Sequence, residues 1–310
     1  MFIDTTAEWE RFGQDLIPAM LRTAGQSGLE PEAMGLVVMR PGRPLGGTPR
    51  PEGFVHRGDW RCYPCSLVKP FHLVHALAAL EEGRTQAHSD LDRALRDMIL
   101  WSSNTATNYV IDLITGTTGD TLLYGADYMD WCSKRERLNR HFEALGWAEW
   151  VGCSIVQKLM DDTRYGREAQ FAGAAGENLN VLTPLCAARL LWEMFEGGLP
   201  LSRPGLARAQ AILSRDPAGP DAADPQYQLS EYLGGDLPPG VQIWSKAGHN
   251  LWTGDARTSW YKHDMIRMSA PDRPALTVVL MTQGRALASG APEAFAALGR
   301  LIWEAAADVG

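Results

Sequence analysis

The sequence predicts an α/β (α+β) fold, in which a sheet assembled from both chain ends carries helices and lies beside an all-helical lobe. Three observations support it. Short apolar runs bounded by turn formers lie near the N-terminus, at 35–39 and 54–57. Similar runs lie in the last third, at 241–244, 259–268 and 276–281. Between them apolar residues recur at helical spacing, and helical patterns also open and close the chain.

In chain order, residues 7–25 place Trp9, Phe12, Leu16, Ile17, Met20 and Leu21 at helical spacing. Gly35-Leu36-Val37-Val38-Met39 reads as a strand, and Phe54-Val55-His56-Arg57, after Pro51-Glu52-Gly53, as a second. Ser66 to Leu80 reads as a helix with Leu67, Phe71, Val74, Leu77 and Ala78 inward. Pro70 falls in its first turn, where the missing N–H costs little. Leu91–Leu100 is a helix that stops near Ser102-Ser103-Asn104, and Ala106–Ile114 restarts one. Residues 116–180 alternate helical stretches with Gly-rich and charged loop. Thr183-Pro184 opens a helix through Phe195, and Pro217–Pro225 is a loop. Of the three late strands, the last two are joined by a turn at Pro271-Asp272-Arg273-Pro274. Pro292–Ala306 closes the chain as an amphipathic helix. No internal repeat or low-complexity tract is present.

A chain of 310 residues with 45% hydrophobic content can bury a large core. A net charge of −8 argues against nucleic acid or an acidic membrane surface as partner. No apolar run reaches the length of a membrane span. The start, Met1-Phe2-Ile3-Asp4-Thr5-Thr6-Ala7-Glu8, lacks the basic flank and apolar stretch of a secretory signal, so a cytoplasmic protein is expected. The five cysteines, at 62, 65, 132, 153 and 186, are odd in number and repeat no metal spacing. Neither a disulfide scaffold nor a metal site is expected.

Three segments carry chemistry: Cys65-Ser66-Leu67-Val68-Lys69, Ser102-Ser103-Asn104 and Lys246-Ala247-Gly248. A serine hydroxyl is a poor nucleophile until a base takes its proton. Three positions apart on a helix, Lys69 can reach Ser66, and a lysine crowded by other cations can lose its proton. Ser66 equally suits a helix cap, Ser102-Ser103-Asn104 an ordinary turn, and Lys246 a solvated strand position. The order and company of the three segments make them informative together.

In that order and company the segments resemble the class A β-lactamase and penicillin-binding-protein superfamily, whose signature is Ser-x-x-Lys, Ser-Asp-Asn and Lys-Thr-Gly. The resemblance extends to Trp101–Ala106 with Asn108, to Thr183-Pro184 and its helix, to Ile243–His249, and to the hairpin from His263-Asp264 to Thr282-Gln283-Gly284. It covers about residues 30–115 and 180–308. It implies a class A β-lactamase-like fold, a mostly antiparallel sheet with packed helices plus the helical lobe. The expected organisation is a single domain over 1–310, with the sheet part from roughly 1–62 and 215–310. The helical part is expected over roughly 63–214, with an enlarged Ω-loop-like segment at 116–180.

The resemblance also implies acyl-enzyme chemistry without a cofactor or metal, on a small-molecule amide, lactam or ester substrate. Ser66 would be the nucleophile and Lys69 its base or proton relay. Ser102 would shuttle protons, Asn104 would hold substrate, and Lys246 would tune the transfer. Backbone N–H groups of Ser66 and His249 would form the oxyanion hole, with Gly248 admitting substrate to the strand edge. Trp101, Trp244, Trp252 and Trp260 hint at an apolar-lined cleft.

Departures from the pattern qualify this expectation. Ser103 stands where the motif has aspartate. Ala247 replaces a hydroxyl that helps bind a substrate carboxylate, a loss of about 1.5–3 kcal/mol for such a bond. Ser66 to Ser102 is short and Asn104 to Pro184 long for the family. No Glu-x-x-Leu-Asn is present, and Glu168 and Glu177 are the possible deacylation bases. A serine hydrolase is the leading expectation. An acyltransferase or peptidase of the same lineage, and a covalent-binding or sensor protein without efficient deacylation, are the alternatives.

Overall fold

The computed structural model describes residues 2–42, 50–160 and 163–309. The first helix, α1 (Ala7–Ala24), buries Trp9, Phe12, Leu16 and Met20 at spacings of three and four. Strands β1 (Met34–Pro41) and β2 (Pro51–His56) follow. The helical middle holds α2 (Lys69–Glu81), α3 (Ser89–Leu100), α4 (Asn104–Thr115), α5 (Gly125–Arg135) and α6 (Arg137–Glu143). It continues with α7 (Gly166–Ala172), α8 (Pro184–Glu196) and α9 (Arg203–Leu213). The short β3 (Ser214–Arg215) precedes β4 (Gln242–Asn250), β5 (Tyr261–Ala270) and β6 (Arg273–Gln283). Helices α10 (Arg285–Gly290) and α11 (Ala294–Ala305) end the chain.

The strands form one sheet in the order β2-β1-β6-β5-β4-β3, with every neighbouring pair antiparallel. Strands from the two chain ends meet where β1 pairs β6. Both sheet faces are covered. Along β1, Val37 and Met39 join the core beneath the helical middle, while Leu36 and Val38 join the core beneath α1 and α11. That alternation is the period of two expected of a strand, doubled because each face has a helical layer to bury.

Local signals explain several element starts. Thr183 Oγ1 accepts from the Cys186 N–H at 3.1 Å and Pro184 opens α8, a capped start with proline where no donor is needed. Ser103 Oγ caps α4 in the same way, accepting from the Ala106 N–H at 3.1 Å, so that helix starts at Asn104 rather than Ala106. The helix expected from Ser66 begins instead as a 3₁₀ turn, Cys65–Val68, and becomes α-helical at Lys69. The expected turn at 271–274 is tighter, because Ala270 pairs with Arg273 and β6 takes in Arg273 and Pro274. Register with β1 begins only at Thr277, so Pro274 withholds no N–H that β1 needs. Among the described residues no helix is long and apolar enough to cross a membrane.

Candidate active site

Ser66 sits in the 3₁₀ turn ahead of α2, and its side chain caps neither the turn nor the helix. The preceding Cys65 has φ +50° and Ser102 has φ +53°, left-handed values that cost a non-glycine residue about 1–3 kcal/mol. Two strained residues therefore flank the bond that matters, since Ser102 Oγ donates to Ser66 Oγ at 2.9 Å. At the first residue of α2, the fully buried Lys69 donates to Ser102 Oγ at 3.1 Å, to Asn104 Oδ1 at 2.9 Å and to the Ser102 carbonyl. Lys246, equally buried on β4, donates to the same Ser102 Oγ at 2.9 Å. Its other donors go to Gln228 Oε1 at 2.5 Å and to the Ala247 carbonyl at 2.6 Å. One hydroxyl thus links the nucleophile to two lysines. Burial, reinforced by the charges of Lys69 and Arg215, holds the Lys246 amine well below the usual lysine range. A lysine so disposed readily gives up and regains a proton.

Two side chains outside this set position it. Arg215, on β3 and 3% exposed, donates to the carbonyls of Ile99, Leu100, Tyr227 and Ser245. It thereby ties the end of α3, just before Ser102, to the strand that bears Lys246. Asn108 on α4 grips Leu159 from both sides. Its Nδ2 donates to the Leu159 carbonyl at 2.8 Å and its Oδ1 accepts from the Leu159 N–H at 3.2 Å. That clamp holds Leu159 and Met160 against a cleft of about 580 Å³, also lined by Ser66, Ser102, Asn104, Gln228 and His249.

Other sequence expectations meet a different geometry. A Cβ on Gly248 would stand 2.9 Å from Leu67 Cδ1 and 3.0 Å from both Cys65 Cβ and the Pro64 carbonyl. The glycine therefore lets the Ser66-bearing turn press against β4. The ring of His249 is held by the Ala288 carbonyl, 2.8 Å from Nε2. The Ala247 side chain is buried in the core under α1 and α11. Glu168 is 5% exposed and bonds Arg135 through both oxygens, at 2.9 and 2.7 Å, and it does not line the cleft. Glu177 lies exposed on the loop after α7, also outside the lining. Among the four tryptophans only Trp101 lines the cleft, whereas Trp244 packs edge-on against Phe195 and Trp252 tilts against Trp260. Sequence reasoning passed over Gln228, Glu231, Tyr232, Leu159, Met160 and Arg215. None of these carries a signal of its own, Arg215 lying between Ser214 and Asp216 in a polar stretch.

A family model described as the beta-lactamase enzyme family matches residues 87–306. The chain belongs to that family. The match begins beyond Ser66 and Lys69, whose placement rests on the geometry above. No curated protein matches the sequence. Solved structures share the fold. A β-lactamase from Sphaerobacter thermophilus is 18% identical with a TM-score of 0.63, over 95% of this chain and 97% of that one. One from Burkholderia vietnamiensis is 17% identical with a TM-score of 0.64, over 98% of each. A variant of PBP-A, solved as its acyl-enzyme with penicillin G, is 18% identical with a TM-score of 0.61, over 96% and 97%. Family and fold together describe a serine β-lactamase-like hydrolase.

Proposed function

We propose that this β-lactamase-like protein forms an acyl-enzyme on Ser66 and cleaves an amide, lactam or ester bond of a small molecule. The observation that carries the reading is the Ser102 hydroxyl, bonded at once to Ser66, Lys69 and Lys246. With one lysine neutral, the Ser66 proton passes through Ser102 to that amine as Ser66 Oγ bonds to the carbonyl carbon. The same path returns the proton to the leaving atom when the carbon–heteroatom bond breaks. The Ser245 carbonyl faces Arg215 on the β3 side, so strand alternation turns the His249 N–H to that side too, where β3 has ended. Beside the Ser66 N–H it suits an oxyanion, an arrangement that contributes about 2.7–4 kcal/mol per donor to catalysis. Asn104 stands ready to orient the acyl side.

A second reading, acyl transfer to an amine, is favoured by the clamp on Asn108. The described residues it brings to the cleft are Leu159 and Met160, and neither Glu168 nor Glu177 reaches the lining. Without either of these two glutamates at the cleft to activate water, acylation outpaces hydrolysis and an amine can take the acyl group. PBP-A, whose variant was captured as an acyl-enzyme with penicillin G, supports a covalent adduct as chemistry this fold sustains.

Intact-mass spectrometry of the wild type and Ser66→Ala, with a chromogenic cephalosporin and an activated ester, tests both readings. Turnover that disappears in the variant supports the hydrolase. A persistent Ser66 adduct released faster by an added amine supports transfer. No adduct and no Ser66-dependent turnover refutes both.

A further inference from the structure

The cleft has an unusual charge pattern on the side where a leaving group must sit. Ser102 returns the proton to the leaving atom, so the group beyond that atom lies on the Lys246 side, where Gln228 bonds Lys246 and its chain neighbours Gln226, Glu231 and Tyr232 also line the cleft. An ammonium has three N–H donors. Lys246 spends them on Ser102, Gln228 and the Ala247 carbonyl, which leaves none for a substrate anion. Arg215 is likewise committed to backbone carbonyls through Nε, Nη1 and Nη2. The Ala247 side chain is buried in the core under α1 and α11 and brings no donor to the cleft. His249 is held toward its neutral form by burial, and its ring is engaged with Ala288.

Among the described residues that line the cleft, none is a lysine or an arginine, and one is charged: Glu231. It is exposed and forms no ion pair among the described residues. We propose, building on the acyl-enzyme reading, that the cleft selects substrates whose leaving group carries a cationic nitrogen and disfavours those that carry a carboxylate there. Glu231 supplies the attraction. The commitment of Lys246 to Ser102, Gln228 and the Ala247 carbonyl supplies the discrimination, because a carboxylate entering that end finds no lysine donor free and meets the like charge of Glu231. Neutral amides at Asn104, Gln226, Gln228 and Asn250 suit an uncharged substrate body.

Three thioesters with one common acyl group test this, with thiocholine, 2-mercaptoethanol or 3-mercaptopropionate as the leaving thiol. Thiol release gives kcat/KM, and intact mass reports acylation of Ser66. Comparing wild type with Glu231→Gln and Glu231→Lys for each substrate cancels intrinsic leaving-group reactivity. The exposed Glu231 is expected to contribute a factor of roughly two to five for the cation, in line with a solvated ion pair. Going from wild type to Glu231→Gln should lower the cation-to-anion ratio of kcat/KM, and Glu231→Lys should lower it further. A ratio that neither substitution moves, with Ser66 acylated by all three, overturns the charge selection and leaves the acyl-enzyme reading intact. Wild type that acylates on Ser66 with none of them overturns both.

Discussion

Glu168→Gln separates a carboxylate that does chemistry from one that holds the fold. Arg135 is fully buried, and Glu168 bonds it at 2.7 and 2.9 Å. Its remaining partners are Thr117 Oγ1 and the Val156 carbonyl, with its guanidinium 4.5 Å from the centre of the Trp131 ring. Neutralising Glu168 leaves a buried cation facing one amide oxygen. Breaking a buried pair from one side costs about 3–5 kcal/mol. For 310 residues, an unfolding entropy of about 2.1 cal/mol/K per residue turns that into a drop of roughly 5–8 °C in Tm. Thermal denaturation followed by circular dichroism reads the drop, and intact mass at a temperature where both proteins are folded reads acylation. The expected variant is less stable, with unchanged lifetime of the Ser66 adduct. A variant as stable as wild type that accumulates adduct would show that Glu168 activates the deacylating water, and the structural assignment would fall.

Further outcomes follow from other contacts. In Gly248→Ala the new methyl meets Leu67, Cys65 and the Pro64 carbonyl at 2.9–3.0 Å, so the Ser66 turn retreats. About 1–3 kcal/mol of stability and most of the acylation rate should be lost, and a wild-type rate would contradict the packing. In Asn108→Ala the Leu159 N–H and carbonyl lose their partner, at about 1–3 kcal/mol, and hydrogen exchange at the Leu159 amide should accelerate. For pH, burial lowers His72, His75, His141 and His263 to about 3, 2, 4 and 4. Each titrates near 6.5 when unfolded, so below that pH the unfolded chain binds more protons and stability falls, by at most about 1.4 kcal/mol per unit per histidine. Asp264, raised to about 7 by burial, takes up a proton on folding and works the opposite way between about 7 and 4. One group against four leaves a net loss, so Tm should fall between pH 7.5 and 5.5, and a flat Tm would refute the balance.

Much of the fold was legible because its signals are local. Helix caps at Thr183 and Ser103, the apolar stripe of α1 and the three motifs all lie within a few residues of what they determine. Helix α9 escaped because the residues it buries, Gly205, Ala209 and Leu213, are mostly small and leave no apolar stripe. Pattern alone carries strand β4 only to Trp244, since Lys-Ala-Gly-His-Asn has little strand preference, and the resemblance of Ile243–His249 to the family extends it. Pairing with β5 through Asn250 carries it onward. In the site, Ser66, Lys69, Ser102, Asn104 and Lys246 converge as the motif order suggested. Gln228 and Glu231 could not be found that way, because they arrive from a loop without periodicity and gain meaning only beside β4. Spacing ahead of Pro184 is what makes Glu168 a candidate base in the sequence, and spacing cannot show that Arg135 lies waiting for it.

The two lysines reach the Ser102 hydroxyl from unlike supports, one a helix and the other a strand near the chain's end. Ser66, Lys69 and Ser102 come from the first third of the polypeptide, and only the bond from Lys246 requires its last third. A chain still emerging from the ribosome therefore lacks the contact from Lys246 to Ser102 until β4 has been made and paired. The full set of bonds on that hydroxyl is in that sense a certificate of complete folding, issued only when Lys246 reaches an oxygen 144 positions before it in the chain.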